Sequence, residues 1–279
     1  MRKFNQTILR TLAYADVFDY PLTAEETKKY AIAPVQSIEL PRNQKYFYLP
    51  GREKIVQLRK LRQKWSLEKI KIAQQTAGWL RIIPWVKMVG ITGALAMNNS
   101  PSNDDIDLLI VTAKKRLWLT RLLAVLLIEL IGQRRRPGDH EFKNKICLNI
   151  FLSEEILALP VKERNLYTAH EVVQVKKIWE RDGVHRRFLQ ANEWVGGFLP
   201  NAVRKFKSLK VQGFNKLNKS SPVLDFWEKI AKEIQWRYMK RKITKEKVED
   251  RRLMFHPHDL SEKILGEYQK HLDKLKAAN

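Results

Sequence analysis

The chain of 279 residues has a single cysteine, Cys147. That count excludes an intramolecular disulfide, and no cysteine metal site is expected; it fits a reducing cytoplasm. Within ICLNIFL, Cys147 reads as a small core residue. Long apolar runs are also missing. The longest, LWLTRLLAVLLIELIG at 117–132, is broken by Arg121 and Glu129 and is shorter than the ~20 apolar residues of a bilayer span. A buried helix is expected there, and no membrane span. The N-terminal stretch RKFNQTILRTLAYADVFDYP is basic but lacks a long apolar segment and a small-residue cleavage site, so it does not read as a signal peptide. The motifs G-x-x-x-x-G-K-[ST], G-x-S-x-G and H-E-x-x-H do not occur, and the six histidines are scattered. His256 and His258 flank Pro257, and Asp259 reads as the N-cap of a last helix.

Acids are the other shortage. Against 53 Lys and Arg stand 30 Asp and Glu, a net charge of +23. Such a field attracts polyanions: nucleic acid, nucleotides or an anionic surface. At 44% hydrophobic, with 8 Trp and 11 Phe, the chain has the material for a folded core.

Apolar spacing predicts a helix in TILRTLAYADVFDY, ended by Pro21. Thr23 and Glu26 form a capping-box pattern opening a second helix to about Tyr30. SIELPRNQKYFYLPG then reads as two short strands around PRNQ. Helices followed by a hairpin suggest a winged-helix-like module over 1–51. The stretch before the hairpin, with Pro34 inside it, is too short for a recognition helix, so the module is expected to pack rather than read DNA. A long amphipathic helix follows within 52–84. Its ten basic residues against two acids, counted from Arg52 to Lys87, suit either a solvated face or a polyanion. Between about 85 and 158, VKMVGIT, DIDLLIVT and KICLNIFL read as strands with a helix before the third, an α/β (α+β) core with a mixed sheet. From Pro160 onward the spacing reads as helical, giving a basic helical region over 159–279. Sixteen basic and six acidic residues fall between Arg204 and Arg252. Trp194 reads as core packing; Trp236 and Tyr238 lie in a helical pattern amid Arg237, Lys240, Arg241 and Lys242, where ordinary packing is the leading reading and a base-stacking patch the alternative.

The chemistry concentrates in GITGALAMNNSPSNDDIDLLIVT, from Gly90 to Thr112. Alternate side chains of a strand share a face, so Asp105 and Asp107 are expected to project together. Paired carboxylates repel unless a cation joins them, and hard oxygen donors suit Mg²⁺ or Mn²⁺. Asp104 reads as the solvated member of the run. Gly93 permits a tight turn, after which the N–H groups of ALAMNN would face a phosphate.

Gly93-Ala94, ten residues, then Asp105-Ile106-Asp107 resembles the signature of the polymerase-beta-like nucleotidyltransferase superfamily. The resemblance implies a nucleotidyltransferase-type core, an NTP held at Gly93 and Ala94, and Mg²⁺ or Mn²⁺ held by Asp105 and Asp107. It implies transfer of a nucleotidyl group to an acceptor, with RNA or another polyanion suggested by the charge. Two positions depart from the pattern. Ala94 stands where the family has Ser or Gly. Where a third carboxylate is expected on a later strand, KICLNIFL offers Asn149, which can lend a metal one neutral oxygen but cannot act as a base. Asp139, Glu141, Glu154 and Glu155 lie near that strand, and spacing selects none of them. The alternative is a degenerate relative that binds nucleotide or nucleic acid without turnover.

Overall fold

The computed structural model describes residues 5–36, 45–136, 138–203, 221–240, 247–255 and 260–277. The fold is mixed α/β, built on a six-stranded mixed sheet. The expected strand–turn–strand–helix–strand core is present. It comprises β1 (Val86–Ile91), the single-turn α4 (Gly93–Ala96), β2 (Ile106–Thr112), α5 (Leu117–Leu130) and β3 (Ile146–Ser153). β1 and β2 pair antiparallel, whereas β2 and β3, joined through α5, pair parallel, as a crossover connection requires.

The helical reading of everything after Pro160 is overturned by three strands. Lys176–Glu180 forms β4, antiparallel to β1. Lys247–Glu249 and Arg252–Met254 form the hairpin β5–β6, whose second strand pairs with β3. The order is β4-β1-β2-β3-β6-β5. VVQVKKIW has apolar positions that a helix could also stripe. A vacant edge on β1 decides for a strand, since partner packing outweighs local preference. Gly90 of β1 admits this neighbour closely: a Cβ there would stand 3.0 Å from a Val175 methyl.

The sheet buries both faces. Val89, Ile91, Ile106, Leu108, Ile110 and Phe151 pack with α3 (Ile55–Leu80), α5 and α8 (Pro222–Lys240). Met88, Leu109, Val111 and Leu152 face α1 (Gln6–Asp16), α6 (Leu166–Gln174), α7 (Val184–Ala191) and α9 (Leu260–Ala277). The long apolar run forms α5, as expected, and among the described residues no helix is long and apolar enough to cross a membrane.

In the N-terminal region the capping box of α2 (Ala24–Lys29) forms as the sequence predicts, with Thr23 accepting from Glu26 N and Glu26 from Thr23 N. The stretch 31–36 is not helical. Of the expected hairpin, residues 37–44 lie outside the described residues, and Phe47 bridges to Leu22 instead. The proposed cap Asp259, with His256 and His258, also lies outside them, as do Arg241 and Lys242.

Part of the positive charge is structural. Arg59, Lys69, Arg116 and Arg252 are buried. Arg59 of α3 makes two 2.8 Å bonds to Glu26 and lies over the Tyr20 and Tyr46 rings. Arg252 pairs in the same two-pronged way with Glu163. Arg59 and Lys69 of α3 therefore hold the molecule together, and neither can lie along a polyanion.

Candidate active site

β2 alternates. Ile106, Leu108 and Ile110 point to α3 and α5, so Asp107 falls on the opposite face with Leu109 and Val111. Thr92 N donates to the Asp107 carbonyl at 3.1 Å, which continues the β1–β2 ladder to the point where the chain turns. Gly93 makes that turn at φ +63°, and a Cβ placed on it would stand 3.4 Å from Asp107 Oδ2. Only glycine enters this left-handed region without strain. The turn thus brings a backbone with open N–H groups against the carboxylate, since the first N–H groups of any helix have no acceptor within it.

Asp105, just ahead of β2, is buried and pairs with Arg135, whose guanidinium lies 4.8 Å from the centre of the Phe142 ring. Asp104, expected to be solvated, is half-buried; desolvation raises its carboxyl pKa above the usual value. Its carbonyl accepts from Lys69 Nζ, which also donates to Asn144 Oδ1 at 3.0 Å. Asn144 N in turn donates to the Asp104 carbonyl at 3.1 Å. Lys69 thereby joins the entries to β2 and β3 and sets their register.

Asp107 is opposite Cys147 in that register. Ligand atoms of Asp105, Asp107 and Cys147 all lie within 4.8 Å of one another. Burial first, and then the Asp105 charge, push the Asp107 carboxyl up to about 8. The adjacent thiol donates to it, but Asp107 Oδ1 is buried with no hydrogen-bond partner. Beyond Cys147 the pairing slips: Leu109 is opposite Ile150, and buried Asn149, the expected third donor, falls within the slip. The nearby acids are engaged or remote. Asp139 pairs with Lys145, Glu154 with Arg187 and Glu155 with Lys114, and Glu141 is exposed. Among the described residues, no third carboxylate joins the cluster.

Asp107, Gly93 and Ala94 open into a cavity of about 260 Å³ between the sheet, α1 and α6. Tyr14, Phe18, Tyr20, Tyr30 and Tyr167 furnish aromatic walls, with His170 and Glu171 beside them. A second cavity of about 250 Å³ shares Tyr167, Glu171 and Leu260 with the first and is otherwise largely apolar. The sequence reading assigned none of these aromatic and titratable lining residues to a site. The nearest sequence signal was the density of tyrosines in the N-terminal module, and it carried no address on the sheet.

Two neighbours on α6, buried His170 and half-buried Glu171, titrate in opposite senses. Burial drives His170 down to about 4; it stacks 3.9 Å from Tyr14 and bonds the Leu166 carbonyl through Nδ1. Burial drives Glu171 up to about 7. His170 contributes stability above its unfolded value of 6.5, lost as pH falls toward 4. Glu171 contributes stability below 4.5, lost as pH rises toward 7. In the intact protein the two slopes offset. In Glu171→Gln, acidification from pH 6.5 to 4 is expected to cost about 3 kcal/mol, and in His170→Phe a similar loss is expected as pH rises from 4.5 to 7. Urea titrations across this range measure both; parallel profiles in the two variants would refute the assignment.

Gly93→Val tests the turn. It is expected to lose about 1–3 kcal/mol for the left-handed backbone and to crowd Asp107, measured by urea unfolding. Unchanged stability would show that the turn does not need glycine.

Comparison with family models, curated proteins and solved structures gave no match to this chain.

Proposed function

We propose that the chain is a nucleotidyltransferase of the polymerase-beta-like type, with a winged-helix-like N-terminal module, that transfers a nucleotidyl group from an NTP to an acceptor hydroxyl. The observation that carries this reading is the approach of the Gly93 turn to Asp107 at the wall of one aromatic-lined cavity. Backbone for phosphate, the Asp107 carboxylate for a cation and ring faces for a base meet there. The cation fits the residues present: Asp105 and Asp107 converge, and Asp107 Oδ1 is a buried oxygen lacking a partner. A divalent cation held by the pair supplies charge neutralisation at the transferred phosphorus and the leaving pyrophosphate. The chain's own part is positional. Gly93 and Ala94 present N–H groups to phosphate, Asp105 and Asp107 hold the cation, and the Tyr14, Tyr20 and Tyr30 walls take the nucleoside and exclude water. Glu171, with its pKa near neutrality, lines the same cavity and can take the acceptor proton.

RNA or another polyanion remains the acceptor class favoured by the charge. Phe226, Trp227 and Tyr238 are exposed on α8 beside Lys229, Arg237 and Lys240, a combination suited to single strands. Trp236, grouped with Tyr238 in the sequence, packs inward. α8 belongs to the opposite side of the sheet from Asp107. A polymer held there is anchored, with only its reacting end at the cavity.

The missing third carboxylate among the described residues favours a second reading, nucleotide binding without turnover. Incubation of the protein with labelled NTPs, Mg²⁺ or Mn²⁺ and total RNA or lysate decides. Label transfer supports the enzyme, cation-dependent NTP binding alone supports the binder, and neither overturns the site.

A further inference from the structure

We propose that Cys147 is a metal ligand and that the site selects a thiophilic divalent cation, of the Zn²⁺ or Co²⁺ kind, over Mg²⁺. The inference rests on the nucleotidyl-transfer reading only for the presence of a cation. Two independent observations support it. The thiol sulfur lies with the Asp105 and Asp107 oxygens in a group no wider than 4.8 Å. Asp107 Oδ1, shielded from water, has no hydrogen-bond partner and so retains a free lone pair at the same place.

The donor set discriminates between metals. Mg²⁺ demands oxygen ligands in near-octahedral array and keeps its water. Zn²⁺ and Co²⁺ accept a thiolate together with carboxylates in smaller coordination shells. With Mg²⁺ the sulfur is a wasted neighbour; with Zn²⁺ it is the third ligand that no further carboxylate among the described residues supplies. On binding, the S–H bond breaks, a sulfur–metal bond forms, and the proton leaves to solvent. Two carboxylates and a thiolate around a dication leave one net negative charge. Arg135, already on Asp105 and partly exposed, balances it. The guanidinium thus serves the filled site as a counter-ion, having held Asp105 in place beforehand.

Because Cys147 is the only cysteine in the chain, a thiolate-to-cobalt charge-transfer band can have one source. The full-length reduced protein is titrated with Co²⁺ and followed in the near ultraviolet, with calorimetric titrations of Zn²⁺ and Mg²⁺ alongside. A saturable band is expected, absent from Cys147→Ser and Cys147→Ala and lost in Asp107→Asn. Zn²⁺ affinity should fall in the cysteine variants by more than the roughly 10–100-fold that outer-shell changes cost, while Mg²⁺ affinity moves little. Thermal melts of both cysteine variants confirm folding. Co²⁺ binding without the band, abolished by Asp107→Asn, overturns the thiolate ligand and leaves the proposed function standing. Absence of binding by Co²⁺, Zn²⁺ and Mg²⁺, with NTP present or not, overturns both.

Discussion

Alanine at both Asp105 and Asp107 is expected to lower label transfer from NTP by roughly 10³-fold or more, the scale on which a single charge-stabilising element acts in phosphoryl transfer. The two carboxylates are the only acids in the cluster among the described residues, so nothing close by substitutes for them. The loss should be one of chemistry and cation binding, not of folding. Asp107 is a poorly solvated acid with an unpartnered oxygen, and removing such a group relieves a desolvation cost as well as leaving a small void. Asp107→Asn keeps the volume and is the cleaner variant: it should melt close to the parent protein and no longer be stabilised by added divalent cation. Asp105 needs separate treatment, because its removal strands Arg135. An Asp105→Ala protein that retains transfer would sink the site assignment, whereas one that loses transfer and stability together would leave the single Asp107→Asn variant to decide.

The second large effect is on stability. Arg59→Ala should cost about 3–5 kcal/mol, the penalty for breaking a buried ion pair from one side. Its guanidinium bonds both oxygens of Glu26 and the Pro21 carbonyl, and it is flanked by the rings of Tyr20 and Tyr46. Lysine cannot replace it, because an ammonium lacks the planar fork for a bidentate carboxylate. Since Tyr20 also lines the candidate site and its hydroxyl reaches both Glu26 and the Met97 carbonyl, the change should weaken nucleotide binding too. Urea unfolding of Arg59→Ala, Glu26→Ala and the double variant gives the coupling energy. A coupling under about 1 kcal/mol, the exposed-pair range, would show that Arg59 does not dock the N-terminal module.

Local signals carried much of the fold. The Thr23–Glu26 box, the helix within 52–84 and the strands around Asp107 are set by interactions between near neighbours and by period-2 or helical patterning, so they are legible residue by residue. β4 and the β5–β6 hairpin were not, because KKIWE and RLM become strands only where β1 and β3 leave an edge to pair with. Such partners are distant in sequence.

The site divides in the same way. From the sequence alone came the glycine turn, the two aspartates and the shortage of a third acid, all of which depend on residue type and spacing along one short stretch. Tertiary structure alone decided the rest. The β2–β3 register set Cys147 rather than Asn149 opposite Asp107, and a slip of one residue would turn every side chain of the strand to the other face. Packing of α1 and α6 over the sheet closed Tyr14, Tyr167, His170 and Glu171 around the cavity that Asp107 lines. Burial turned part of the chain's excess charge inward, where Arg59 and Lys69 hold elements together. Neither register nor burial is a property of a residue; each is created when distant segments exclude water from one another.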